Sequence, residues 1–235
     1  MKRVLLKLSG EALSGEKGTG FDEATVQRVA RQVAVLCDQG IQVGIVIGGG
    51  NFWRGRSSKN INRSKADQIG MLATVMNCIY TSEIFRSEGL KTRILTPFAV
   101  GAFTDLYSID LARESLSEGV VTFFAGGTGH PYFSTDTATV LRAVEIGADA
   151  ILLAKAVDGV YECDPKDNPQ AKKYDQIHID EVIEKKLQVV DMTASILVRE
   201  NRMPMLVFAL NEPDSIVKAI SGDFKGTKVI VSDEG

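Results

Sequence analysis

The 235-residue chain contains three cysteines, two histidines and one tryptophan. Cys37, Cys78 and Cys163 are odd in number, far apart and outside CxxC spacing. That argues against a disulfide framework and a zinc site, and for a reducing compartment. His130 and His178 are too few for a His-rich metal centre, and no metal site is expected. No apolar run reaches the ~18 residues of a membrane span. Met1-Lys2-Arg3-Val4 enters directly what reads as a strand, so no signal peptide and a cytoplasmic location are expected. There is no excess of either charge, with 27 basic and 30 acidic residues and a formal net charge of −3. The chain as a whole therefore has no bias toward nucleic acid or acidic membranes, and any anion site must be local. Nor is there a basic stripe interleaved with aromatics, as nucleic-acid binders carry.

What is present is ordinary globular composition, 44% apolar and 24% charged, ample for a buried core. Short apolar runs alternate with amphipathic stretches. Strands are expected at 4–8, 43–47, 92–95, 120–124 and 150–153. Helices are expected from Asp22, a plausible N-cap, to Gly40, and over 64–88, 110–117 and 135–146, each followed by a glycine stop. This β-α alternation predicts an α/β fold, a mainly parallel sheet covered on both faces in an αβα sandwich. Past Ala154 the texture becomes polar and turn-rich, then gives short helices near 179–185, 192–201 and 213–220 and strands at 205–209 and 227–231. The chain reads as one domain with two lobes, about 1–150 and 151–235.

In open α/β sheets ligands bind beyond the C-terminal strand ends. Three glycine-rich clusters fall there: Lys7-Leu8-Ser9-Gly10, Gly48-Gly49-Gly50-Asn51 with Arg54 behind it, and Gly126-Gly127-Thr128-Gly129 leading to Ser134-Thr135-Asp136 at a helix start. Glycine lets backbone approach an anion, and a helix N-terminus offers free N–H donors. One such loop is usually just a turn; three at one end of one sheet are harder to read as accident. None matches the P-loop, the protein-kinase loop with its companions, or the dinucleotide fingerprint, so the chemistry belongs to another architecture.

Four segments carry a resemblance: Leu5–Leu13 (LLKLSGEAL), Val46–Asn51 (VIGGGN), Gly70–Asn77 (GMLATVMN) and Val157–Tyr161 (VDGVY). They resemble the bacterial-type UMP kinases of the amino-acid kinase fold, over almost the whole chain and in order. The first two segments are shared loosely with acetylglutamate, carbamate and aspartate kinases. The Gly70–Asn77 stretch and the 128–135 loop are the more specific. The resemblance implies that Lys7, Leu8, Ser9 and Gly10 line the phosphates of ATP, which brings Mg²⁺. It implies that Gly50 and Arg54 meet ATP, and that Tyr161 and Asp164 contact its adenosine. By the same resemblance Gly49 would meet UMP and Asp67 its ribose, and Thr128, Gly129, His130, Pro131, Tyr132, Phe133, Ser134 and Thr135 would wrap its base and phosphate. Gly15, Glu16, Lys17, Gly18, Thr19 and Gly20 match a segment linked to GTP activation. The resemblance further implies a homohexamer and inhibition by UTP. The sequence departs from the family pattern at His130, usually Asn, at Tyr132, usually Phe, and at Lys155, where the family usually has Thr or Asn near the adenine and which is left out of the expected site.

At neutral pH a phosphate monoester, with its second pKa near ~6, is mostly a dianion and needs no general base. Catalysis then rests on positioning and charge neutralisation. Lys7 and Arg54 are the expected neutralising cations, and Asp136 is expected to order either Lys7 or the metal shell. Blander readings exist. Asp67 and Asp136 are also what a helix start favours, Tyr161 could pack in the core, and the Met71, Val75, Ile79 stripe reads as core or subunit interface. A kinase of the same fold acting on a small carboxylate or carbamate, and a non-catalytic nucleotide binder, are the competing functions.

Overall fold

The computed structural model describes residues 1–53, 60–165 and 167–231, with the backbone alone at residue 16. Its main sheet has nine strands. They are β1 (Arg3–Leu8), β2 (Gln42–Ile47), β3 (Thr92–Thr96), β4 (Asp105–Leu106), β5 (Val121–Phe124), β6 (Ala150–Lys155), β9 (Gln176–His178), β10 (Met205–Ala209) and β11 (Thr227–Ile230), in the order β4-β3-β5-β2-β1-β6-β10-β11-β9. Every neighbouring pair is parallel except β10 with β11. A hairpin, β7 (Val160–Tyr161) with β8 (Lys173–Tyr174), stands apart.

The period-2 alternation of the strands sorts side chains onto two apolar layers. On one face Val4, Leu6, Leu8, Val43 and Ile45 pack with α2 (Glu23–Asp38), α3 (Arg63–Ser87) and α8 (Ser215–Ser221). On the other, Leu5, Val46, Ile151 and Leu153 pack with α4 (Ile109–Ser117), α5 (Thr135–Ile146), α6 (Ile179–Glu184) and α7 (Met192–Glu200). The expected α/β sandwich is thus present, with β1 at the centre of a sheet that runs through both halves of the chain.

Local chemistry sets the helix ends. Ser108, Ser134 and Asp191 cap their helices through side-chain oxygens, and His178 caps α6 through Nδ1. Asp22 holds the N-cap position of α2 but its side chain makes no bond to the helix's backbone N–H groups; the carboxylate accepts from Thr25 Oγ1 at 2.6 Å instead. The two-residue edge strand β4 and the short β7, β8 and β9 were not anticipated, because runs this short carry no periodic signal.

Candidate active site

The C-terminal ends of β1, β2 and β5 lie side by side, since Leu8 pairs with Ile47 and Val46 with Phe124. The three glycine loops therefore converge. Ser9 Oγ accepts from Ala12 N at 3.1 Å and caps the single turn α1 (Gly10–Leu13). The first and second loops touch at Gly10, where an added Cβ would lie 2.5 Å from the Gly48 carbonyl oxygen and overlap the Asn51 side chain.

A pair of amides clamps this contact. Asn51 Nδ2 donates to Asn77 Oδ1 at 2.9 Å, and Asn77 Nδ2 donates to Asn51 Oδ1 at 2.8 Å and to Gly48 O at 2.6 Å. Asn77 is fully buried, so each of these bonds is needed to offset its desolvation. One turn earlier on α3, Thr74 Oγ1 accepts from Gly126 N at 2.8 Å and donates to Met71 O at 2.7 Å. Gly126 has φ 78° and faces Pro97 and the Phe98 ring too closely for any side chain. Helix α3 thus fixes the second and third loops through two polar residues three apart.

Between α3 and these loops lies a cleft of about 350 Å³, within the range of small-ligand sites. Gly49, Gly50, Asp67, Thr128 and the run from Tyr132 to Asp136 line it. Asp67 Oδ2 accepts from Tyr132 N at 2.8 Å, and the Arg63 guanidinium lies 5.1 Å from the Tyr132 ring centroid. These contacts hold Tyr132 at φ 74°, a strained backbone for a non-glycine residue. Gly129, His130 and Pro131 form the outer turn of this loop and are not on the cleft wall.

Asp136 lines this cleft, and its Oδ1 meets Lys7 Nζ at 3.0 Å, with the Lys7 side chain only 12% exposed. Lys7 shares a sheet face with Leu5, the face that α5 covers, which brings it to the start of α5. Asp191 supports that start from α7. It accepts from Ser134 Oγ, and from Thr137 Oγ1 at 3.1 Å, while capping its own helix through Ala194 N at 2.9 Å. Leu8 sends its side chain wholly into the core, leaving only its backbone for a ligand. Arg54 lies outside the described residues.

A second cleft, of about 300 Å³, opens beyond β6. Tyr161 and Asp164 line it with Val160, Leu187 and Val189. Tyr161 is not packed in the core: its hydroxyl donates to Asp158 Oδ1 at 2.6 Å. The segment from Gly15 to Gly20 is bonded to the glycine loops. Thr19 Oγ1 donates to Asn51 O at 2.9 Å, and Asn51 Nδ2 donates to Gly20 O at 2.8 Å.

The sequence does not single out Asp191, gives Thr74 and Asn77 no role of their own within the Gly70–Asn77 segment, and sets Lys155 aside as a departure. Met71, expected as core or interface, lines the cleft, whereas Val75 is core and Ile79 is exposed. Lys155 ends β6, and its ammonium donates to the Val189 carbonyl. Desolvation pushes its pKa down to about 8; Asp136 pulls it upward and Lys7 lowers it further.

The sign of the resulting pH effect follows directly. The unfolded chain holds this proton more tightly, so over about pH 8 to 10.5 it binds more protons than the folded chain. Stability through this group therefore rises with pH across that window. Lys155→Met should be most stabilised relative to wild type at pH 7, with the difference shrinking by pH 9.5. Urea midpoints of both proteins at the two pH values test this; a pH-independent difference contradicts it.

The Amino acid kinase family model matches residues 2–209. A uridylate kinase of Psychrobacter sp. (strain PRwf-1) is 45% identical over 97% of this chain and 95% of its own length. The crystal structure of UMP kinase from Bacillus anthracis superposes with TM-score 0.93 at 37% identity, covering 97% of this chain and 96% of that one. The structure of UMP kinase from Ureaplasma parvum superposes with TM-score 0.92 at 33% identity, covering 97% and 98%. The glycine loops, the Lys7–Asp136 pair and the order of the strands thus sit in a chain that belongs to the amino acid kinase family, in its bacterial-type UMP kinase branch.

Proposed function

We propose that this protein transfers the γ-phosphoryl group of Mg²⁺–ATP to UMP, reversibly giving UDP and ADP, in cytoplasmic pyrimidine nucleotide synthesis. The observation that carries this reading is the Lys7–Asp136 pair, joined to one cleft through Asp136 and on the same sheet edge as a second. UMP would occupy the first cleft, between Asp67 and the loop 127–135, and ATP the second, with adenosine at Tyr161 and Asp164. On this reading the two lobes, about 1–150 and 151–235, supply acceptor and donor sites. Lys7 neutralises the moving phosphoryl group, Asp136 holds Lys7 in place, and Arg54 is the second cation. The acceptor dianion attacks without a base.

Tyr132 and Phe133, more than half exposed at the cleft mouth, favour a nucleobase over a small carboxylate. Offering UMP, CMP, dUMP, acetylglutamate and carbamate separately tests the acceptor. UMP should be strongly preferred. Phosphorylation of acetylglutamate or carbamate with none of UMP would instead establish a small-acid kinase.

Activation by GTP and inhibition by UTP belong to the same proposal. The support is the bonding of Thr19 and Gly20 to Asn51, which gives the 15–20 segment a direct hold on the phosphate loops. Thr19→Val should abolish GTP stimulation while basal turnover stays within about twofold; full stimulation of that variant counts against the segment's role. The homohexamer is supported by an exposed apolar stripe on α3, Ile69, Leu72, Met76 and Ile79, of the kind that subunits cover. Light scattering at assay concentration should report six chains.

A further inference from the structure

We infer that Lys155 is a cation of the phosphoryl-donor site and contacts the polyphosphate of the nucleoside triphosphate between its nucleoside end and Lys7. This rests on the donor-cleft reading above.

Three observations lead there. The first is register. Lys7 pairs with Leu153 on the neighbouring parallel strand, so Lys155 lies one strand across and two residues further toward the C-terminal edge. Strand geometry puts the two Cα atoms about 8 Å apart. Leu5, Ile151 and Leu153 all face the same apolar layer, and by alternation Lys7 and Lys155 share that face. Two ammonium groups therefore stand side by side at the edge where the glycine loops end.

The second is position between sites. Lys155 lines the second cleft together with Tyr161 and Asp164, while Lys7 is paired with Asp136, a lining residue of the first. A nucleotide with its adenosine in the second cleft and its terminal phosphate at Lys7 must run its phosphate chain past Lys155. Ser9, in the loop that follows β1, lies just beyond the Leu8–Ala154 pair and so flanks Lys155.

The third is an incomplete partner set. An ammonium has three donors. Among the described residues the one hydrogen-bond acceptor of Lys155 is the neutral Val189 carbonyl. The carboxylate that acts on it, Asp136, is already paired with Lys7. A desolvated ammonium without a carboxylate of its own is unfavourable, and its lowered pKa expresses that cost. A phosphate anion would supply the missing acceptors and countercharge. Val189 then serves as the resting partner when no nucleotide is bound.

The test is calorimetric titration of the full-length protein with ATP, ADP, adenosine and, separately, UMP, for wild type, Lys155→Met and Lys155→Arg. The inference predicts that Lys155→Met weakens ATP and ADP about tenfold and leaves adenosine and UMP within twofold. Lys155→Arg, which keeps the charge, should recover most of the loss. Unchanged ATP and ADP affinity in Lys155→Met overturns the inference, making Lys155 a strap on Val189. Equal weakening of adenosine also overturns it, because the contact is then with the nucleoside. Should Lys155→Met fail to fold, Lys155→Thr carries the same expectation. Wild-type protein that binds UMP but no ATP refutes the donor-cleft reading itself, a result distinct from the variant outcomes.

Discussion

Replacing Lys7 with alanine should lower turnover by about 10² to 10³ while UMP affinity changes no more than a few-fold. A single preorganised charge on the transferring group commonly contributes about 3–4 kcal/mol to the barrier. Lys7 is well placed for such an effect. It is only 12% exposed, it leaves the end of β1 toward α5, and Asp136 fixes its ammonium at 3.0 Å. Charge assembled in the partly buried site is screened less by solvent than charge on the surface. UMP binding rests on other groups, Asp67 and the loop 127–135, so the loss should fall on kcat rather than on acceptor affinity. Steady-state kinetics paired with UMP calorimetry separates the two. Near-normal turnover removes Lys7 from the mechanism; a loss confined to UMP affinity makes it an acceptor contact.

Gly10→Ala should destabilise the fold by about 1–3 kcal/mol and abolish most activity, whereas Gly48→Ala should cost under about 1 kcal/mol in stability. The contrast comes from space, not flexibility. At Gly10 a Cβ would press on the Gly48 carbonyl at 2.5 Å and on the Asn51 amide. That amide is locked to Asn77, so it cannot retreat without leaving a buried donor or acceptor unpaired. At Gly48 the nearest heavy atom to an added Cβ is 3.6 Å away, an ordinary contact. Urea denaturation of the two variants, with turnover measured alongside, checks this. Equal stability of the two would mean that the loops are not clamped as described.

Much of the fold was legible because its signals are local. Apolar runs of four to six residues, helical spacing and glycine stops mark the central strands and long helices, and the observed boundaries fall within a few residues of those expected. That the glycine clusters lie at one edge followed from reading the sheet as parallel, whereas their convergence rests on the adjacency of β5, β2 and β1, which the sequence does not reveal. Roles within the loops came from resemblance to a family, because a glycine triplet does not itself say which nucleotide it meets.

The parts that were not legible act through space. Thr74 reaches Gly126 across 52 residues, and Asp191 reaches Ser134 across 57. Neither pairing leaves a trace in periodicity. Asn77 sits within an otherwise ordinary helix, and only its burial reveals that it is a clamp. Lys155 was set aside as a departure from the family pattern, although a lysine ending a buried strand is costly enough to suggest a purpose. Asp22 shows the reverse case: a good capping residue at the right position, drawn instead to a nearby threonine hydroxyl.

The central claim is the identity of the acceptor. The most direct measurement uses ATP labelled on its γ-phosphate, incubated with the protein, Mg²⁺ and UMP, with the labelled product identified by chromatography. The account predicts that the label moves into UDP, on its β-phosphate, and that omission of UMP leaves it in ATP. Label that stays in ATP with UMP present, or passes to water or to another acceptor in preference, would contradict it.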